Sequence, residues 1–236
     1  MKDLVIVKLG ESIPSLIPRY GDYEDWIGQG LSVGPATVID PRRGEKLPEP
    51  DAIAGAVVTG SHAMVTERAS WSERTGEWLA ELVSKAVPVL GICYGHQLLA
   101  HALGGEVGYH PGGMEIGTVS ICATADAADD ALFSQLPRRF SAQTVHSQTV
   151  LRLPENALLL ASNDFEPHHA FRVGECAWGV QFHPEFNAVA MRSYIEHLAG
   201  SLRRQGRDPE QLAAAVENTP LAASVLRRFA DFVADA

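Results

Sequence analysis

A cysteine stands between two glycines in the stretch Gly91-Ile92-Cys93-Tyr94-Gly95-His96-Gln97. Upstream, Val89, Leu90 and Ile92 are strand formers, whereas Gln97 to Leu103 carries apolar residues at helical spacing. Cys93 therefore falls at a strand-to-helix corner. Such a corner pushes its central side chain out of the sheet while the flanking glycines relieve crowding. It also aims free N–H groups and the positive end of the new helix at the sulfur, which favours a thiolate. Judged by residue type alone a cysteine is more often a small, inert core residue. The glycine bracket and the helix start point to a nucleophile, and a nucleophile needs a base.

The stretch Trp178 to Phe186 offers one. Ala177 to Phe182 reads as a strand, and His183-Pro184-Glu185 follows at its carboxyl end, where the proline fixes the backbone and prevents an immediate helix. His183 there is placed to act on a thiol while Glu185 orients the imidazole and supports its charged form. A third strand end carries Thr59-Gly60-Ser61-His62, a turn able to present a backbone N–H to an anion.

These ends must be brought together by a sheet. Apolar runs at Leu4–Leu9, Ala36–Ile39, Gly55–Thr59 and Val87–Ile92 alternate with helical patterns at Tyr23–Gln29 and Ala69–Ala86. That alternation predicts an α/β fold with a doubly wound, mainly parallel sheet and helices on both faces. Ligands in such sheets gather at the carboxyl ends of the strands. After the Cys93 helix the runs shorten, at Gly117–Ala123, Arg139–Val145, Ala157–Ala161, His169–Val173 and Ala177–Phe182, and are expected as added, partly antiparallel strands. From Ala188 on the pattern is helical, interrupted near Gly206 to Pro209 and at Asn218-Thr219-Pro220, where Thr219 is placed to cap a last helix. No Pro/Gly/Ser-rich linker divides the chain, so residues 1–236 are expected to form one domain with residues 206–236 as a helical C-terminal appendage.

With 236 residues, 46% of them hydrophobic, the chain can bury a core without staples. Its three cysteines, at 93, 122 and 176, form neither a disulfide framework nor a paired zinc pattern. A reducing cytoplasm is the expected home, and the amino-terminal apolar run Leu4–Val7 is too short for a signal-peptide core or a membrane span. A net charge of −10 with only isolated arginine pairs argues against nucleic-acid binding.

The wording and order of Gly91-Ile92-Cys93-Tyr94-Gly95-His96-Gln97, Val145-His146-Ser147-Gln148-Thr149-Val150 and Gly179-Val180-Gln181-Phe182-His183-Pro184-Glu185 resemble the class I glutamine amidotransferases. The resemblance runs from Leu4 to about Gly200. It implies a flavodoxin-like architecture and hydrolysis of glutamine to glutamate and ammonia through a Cys-His-Glu triad, with no cofactor and no metal. It further implies Cys93 as nucleophile, His183 as acid and base, Glu185 as its orienter, and the backbone N–H groups of Gly60 and Tyr94 as an oxyanion hole. Gln97 and the backbone around Ser147 and Gln148 would hold L-glutamine or another γ-glutamyl compound. The segment Arg19-Tyr20-Gly21-Asp22-Tyr23-Glu24-Asp25-Trp26-Ile27 is similar to stand-alone members, GMP-synthase-like and γ-glutamyl-peptidase-like.

Two positions depart from the family pattern. Thr59-Gly60-Ser61-His62 stands where many members have two glycines and a proline, which implies rearrangement of the loop before catalysis; Val145 replaces an asparagine that contacts substrate. Other histidines do not form a metal site: His96 and His101 are five apart, off the four-residue ligand spacing, and His168-His169 adjoins a strand start. Cys122 and Cys176 are expected as inert core residues, and His146 as a residue that shapes its loop. No phosphate-binding glycine loop of a nucleotide-dependent synthetase occurs in the sequence. The ammonia is therefore expected to serve a separate synthetase subunit. The alternatives are a γ-glutamyl peptidase and, third, a silent regulatory binding protein.

Overall fold

The computed structural model describes residues 2–32 and 36–235. In chain order they form β1 (Asp3–Val7), α1 (Ile17–Tyr20), α2 (Tyr23–Leu31), β2 (Thr37–Ile39), β3 (Ile53–Val58), α3 (Ser70–Ser84), β4 (Val89–Ile92) and α4 (Tyr94–Ala102). Then follow β5 (Glu106–Tyr109), β6 (Glu115–Ala123), β7 (Arg139–His146), β8 (Gln148–Arg152), β9 (Leu158–Ser162), β10 (Ala170–Val173) and β11 (Ala177–Val180). Helices α5 (Ala188–His197), α6 (Ala199–Arg204), α7 (Pro209–Ala214) and α8 (Pro220–Asp235) complete it.

Nine strands make one sheet in the order β2-β1-β3-β4-β11-β10-β9-β6-β7. The run from β2 to β11 is parallel, and β10, β9, β6 and β7 extend it antiparallel, as the shorter runs predicted. Strand alternation divides the core. Ile6, Val57 and Leu90 face α2 and α8, while Val5, Val7, Val58 and Val89 face α3 and α4. Both faces of the parallel strands are thus covered, which is why their sequences read as nearly continuous apolar runs.

Two elements were not legible in the sequence. β5 and β8 pair as a separate two-stranded antiparallel ribbon, Tyr109 opposite Gln148. Glu106-Val107-Gly108-Tyr109 is half-exposed and includes a glycine, so it shows no strand periodicity. The strand predicted over Ala177–Phe182 ends at Val180, and the chain beyond turns so that the His183 N–H donates to the Gln143 carbonyl at 2.8 Å. The C-terminal helical appendage is present, and its last helix is integral to the core: Val225, Leu226 and Phe229 are fully buried with sheet residues. The Thr219 carbonyl, one residue before α8, accepts from the Ala223 N–H at 3.0 Å.

Behind the Cys93 corner, His96 is fully buried, and an added Cβ on Gly179 would lie only 2.7 Å from its Nδ1. Burial pushes the His96 pKa down to about 3, with the Gly179 backbone offsetting only part of the effect. Between that value and the ordinary 6.5 the unfolded chain binds a proton that the native protein refuses, so stability present above pH 6.5 is lost as pH falls toward 3. The slope from one such group reaches about 1.4 kcal/mol per pH unit. His96→Leu is expected to flatten this acid limb, read as urea midpoints at pH 7 and pH 5. Parallel pH dependence in the two proteins would mean that His96 is not the group responsible.

Candidate active site

The residues singled out by type converge on one cavity of about 230 Å³ at the carboxyl ends of the parallel strands. Cys93 lies between β4 and α4 with φ 50° and ψ −99°, a strained conformation for a residue with a side chain. The flanking glycines are required by contact. A Cβ on Gly91 would sit 2.5 Å from the Gly95 carbonyl oxygen, and one on Gly95 would sit 2.5 Å from that of Val58. Strand, corner and helix are therefore folded tightly together, which exposes Cys93 to the cavity.

His183 follows β11, the parallel neighbour of β4, and this adjacency brings it to Cys93. Its Nδ1–H donates to Glu185 Oε1 at 2.7 Å, and both side chains are almost wholly buried. The imidazole stacks on Phe186 with centroids 4.2 Å apart, and Tyr23 lies beyond in near-parallel orientation at 6.4 Å. Burial opposes its charge, but the Glu185 carboxylate and the Cys93 sulfur outweigh burial and push the His183 pKa up to about 10. Nε2 has no hydrogen-bond partner among the described residues, and the thiol rests toward the Val145 carbonyl at 3.8 Å. An Nε2 without another partner beside a sulfur is placed to exchange a proton with it.

Gly60 sits directly across from this pair. A Cβ there would lie 3.2 Å from His183 Cε1 and 3.8 Å from Cys93 Cβ, so only a bare backbone fits without displacing the imidazole. Among the described residues its N–H donates to no backbone carbonyl. Tyr94 opens α4, where the first N–H groups have no intrahelical acceptor. The Thr59 hydroxyl fixes the loop, accepting from the Leu9 N–H and donating to the Gly60 carbonyl, both at 2.9 Å.

On the other side of the cavity, Gln97 spends both amide hydrogens on the Gln148 carbonyl (2.7 Å) and Gln181 Oε1 (2.9 Å). Its carbonyl oxygen remains for a ligand. Ser147 forms the kink between β7 and β8, and Gln148 is tied through Nε2 to the Thr66 hydroxyl at 2.6 Å. His146 holds this kink from below, with Nδ1 3.0 Å from the Gln148 carbonyl and Nε2 3.1 Å from the Glu115 carboxylate. All eight residues predicted from the sequence thus border the cavity or stand directly behind it.

Three neighbours escaped sequence reading. Tyr23 and Tyr194 line the cavity and share a 2.6 Å hydrogen bond although 171 residues apart, and Gln181 anchors Gln97. Only tertiary folding joins them; the segment around Tyr23 shows a helical pattern and a family resemblance, neither of which points to this contact, and no local pattern marks Tyr194. No helix among the described residues is long and apolar enough to cross a membrane.

Fold and site together place a cysteine, a histidine and a carboxylate at the carboxyl ends of a doubly wound sheet. Residues 44–198 match the family model for class I glutamine amidotransferases. The chain is 39% identical over 67% of its length to the GMP synthase (glutamine-hydrolyzing) of Aeropyrum pernix, but spans only 28% of that protein. It is 33% identical to one subunit of the GMP synthase (glutamine-hydrolyzing) of Archaeoglobus fulgidus, over 77% of this chain and 96% of that one. Gamma-glutamyl peptidase 5 of Arabidopsis thaliana is 30% identical over 71% of this chain and 68% of its own. A glutamine amidotransferase of Thermotoga maritima, 24% identical, superposes over both chains in full with a TM-score of 0.80, a likeness of fold. The chain belongs to the class I glutamine amidotransferase family, whose chemistry is amide hydrolysis by a cysteine nucleophile.

Proposed function

We propose that this protein hydrolyses the side-chain amide of free glutamine at Cys93 and supplies the ammonia to a separate synthetase subunit. The observation that carries the reading is the convergence around one cavity of Cys93, the His183–Glu185 bond, and the His183 Nε2 and Gly60 N–H, neither of which has a partner among the described residues. In this reading the Cys93 sulfur attacks the amide carbon, and Gly60 and Tyr94 hold the developing oxyanion, each donor contributing about 3 to 4 kcal/mol. His183 gives a proton to the departing nitrogen, releasing ammonia and leaving a glutamyl thioester. It then takes a proton from water, whose oxygen releases glutamate and restores the thiol. Gln97, Ser147 and Gln148 hold the amino-acid end. All three cysteines are free, which suits a nucleophilic thiol working in a reducing cytoplasm.

The near-complete span of the Archaeoglobus subunit supports a partnered arrangement. The peptidase relative and the amount of open space beyond the leaving nitrogen support the second reading, hydrolysis of γ-glutamyl peptides. Competition between the two substrates separates them. The donor reading expects kcat/KM for glutamine to exceed that for every γ-glutamyl dipeptide, with turnover rising when the partner is added. A dipeptide preferred by more than about tenfold, or roughly 1.4 kcal/mol, would install the peptidase instead.

A further inference from the structure

A second cavity, of about 430 Å³, adjoins the first between the turn that follows β1 and the loop that follows β3. Ser61, His62, Ala63 and His197 line both cavities and so form the neck between them. The direction of the neck follows from the chemistry. A leaving nitrogen must face His183, which protonates it, and the neck lies on that side: Gly60, the residue before Ser61, is against the His183 ring. Gln97, Ser147 and Gln148 come from the opposite side, α4 and the β7–β8 kink. The outer cavity therefore lies where the amine half of a γ-glutamyl amide would extend.

His62 occupies the neck on a fixed platform. Its ring lies nearly parallel to that of Tyr194, 11° apart with centroids at 5.9 Å, and Tyr194 is itself held by Tyr23. The outer walls include the buried Leu9 and Ile13 with the indole of Trp71. Arg42 at the rim is already neutralised by Asp40, through bonds of 2.9 and 2.7 Å, and lies 3.4 Å from Glu11. Such a lining suits an uncharged apolar or aromatic body better than a free ion.

We infer that His62 selects the leaving group by closing the neck onto a subsite for the apolar or aromatic amine half of a γ-glutamyl amide. While His62 stands there, ammonia passes and a bulky amine does not. The inference rests on the reading of the inner cavity as an amide-hydrolysing site. The covalent step is unchanged: the C–S bond forms first, giving the oxyanion, and the C–N bond then breaks as the carbonyl re-forms, so the amine leaves with the proton from His183 in place of ammonia.

The test is kcat/KM for glutamine, the γ-glutamyl amide of phenethylamine and the γ-glutamyl amide of methylamine in the wild type, H62A, and H62A combined with P14W, which puts a bulky ring at a residue lining the outer cavity. In H62A the phenethylamide-to-glutamine ratio is expected to rise at least tenfold, with a smaller gain for the methylamide. The added tryptophan is expected to abolish the gain. An unchanged ratio in H62A would overturn the role of His62 alone, and so would a gain that survives P14W. Absence of turnover on all three substrates in the wild type, with and without cell lysate, would overturn the inner-cavity reading and this inference with it.

Discussion

Cys93→Ser is expected to lower glutamine turnover by about 10⁴- to 10⁶-fold while leaving the fold intact. The change is nearly isosteric at a buried corner, where φ is 50° in any case, and the thiol's contact with the Val145 carbonyl is one a hydroxyl can also make. What is lost is chemical. A serine hydroxyl has a far higher pKa than a thiol, and a histidine held charged by a buried carboxylate is a poor base for it. Circular dichroism and urea midpoints matching wild type, with turnover abolished, are the expected pair of results. Turnover within tenfold of wild type would remove Cys93 from the mechanism.

The second large effect concerns the unequal roles of His183 and Glu185. His183→Ala removes the imidazole that stands beside Cys93 and is expected to be about as damaging as loss of the nucleophile. Glu185→Gln keeps a hydrogen-bonding oxygen at 2.7 Å from Nδ1 but removes the charge that holds the imidazole protonated. The expected loss is about 10²-fold smaller than that for His183→Ala, the usual margin between a base and its orienter. Because the His183–Glu185 pair is buried, removing one of its charges is also expected to cost stability, read as a urea midpoint below that of wild type. Equal or reversed losses in kcat would mean that base and orienter are misassigned.

The meeting of Cys93, His183 and Glu185 at one place was legible in the sequence because each stands at a local signal that physics makes specific. Cys93 needs Gly91 and Gly95, since no side chain fits in the tight approach of α4 to β4 and β3. His183 and Glu185 flank a proline just after an apolar strand. The parallel half of the sheet was legible for a similar reason, because strands covered on both faces read as continuous apolar runs. What stayed hidden is held together by distant partners. The ribbon of β5 and β8 is too short and too exposed to carry a period, and the Tyr23–Tyr194 platform joins α2 to α5. The place of α8 in the core was hidden too: its amphipathic pattern announces a buried face but not which surface it meets. Val145, read as a departure from the family pattern, meets the thiol through its backbone carbonyl, a contact that any residue type at this position can make.

The central claim is that Cys93 carries the glutamyl group, and it is tested most directly by trapping. The purified protein is treated with an electrophilic glutamine analogue, with and without excess glutamine, and the adduct is located by peptide mass spectrometry. The account predicts one adduct, on Cys93, suppressed by glutamine and absent from His183→Ala. Glutamine-protected labelling at Cys122 or Cys176 with Cys93 unmodified would contradict it.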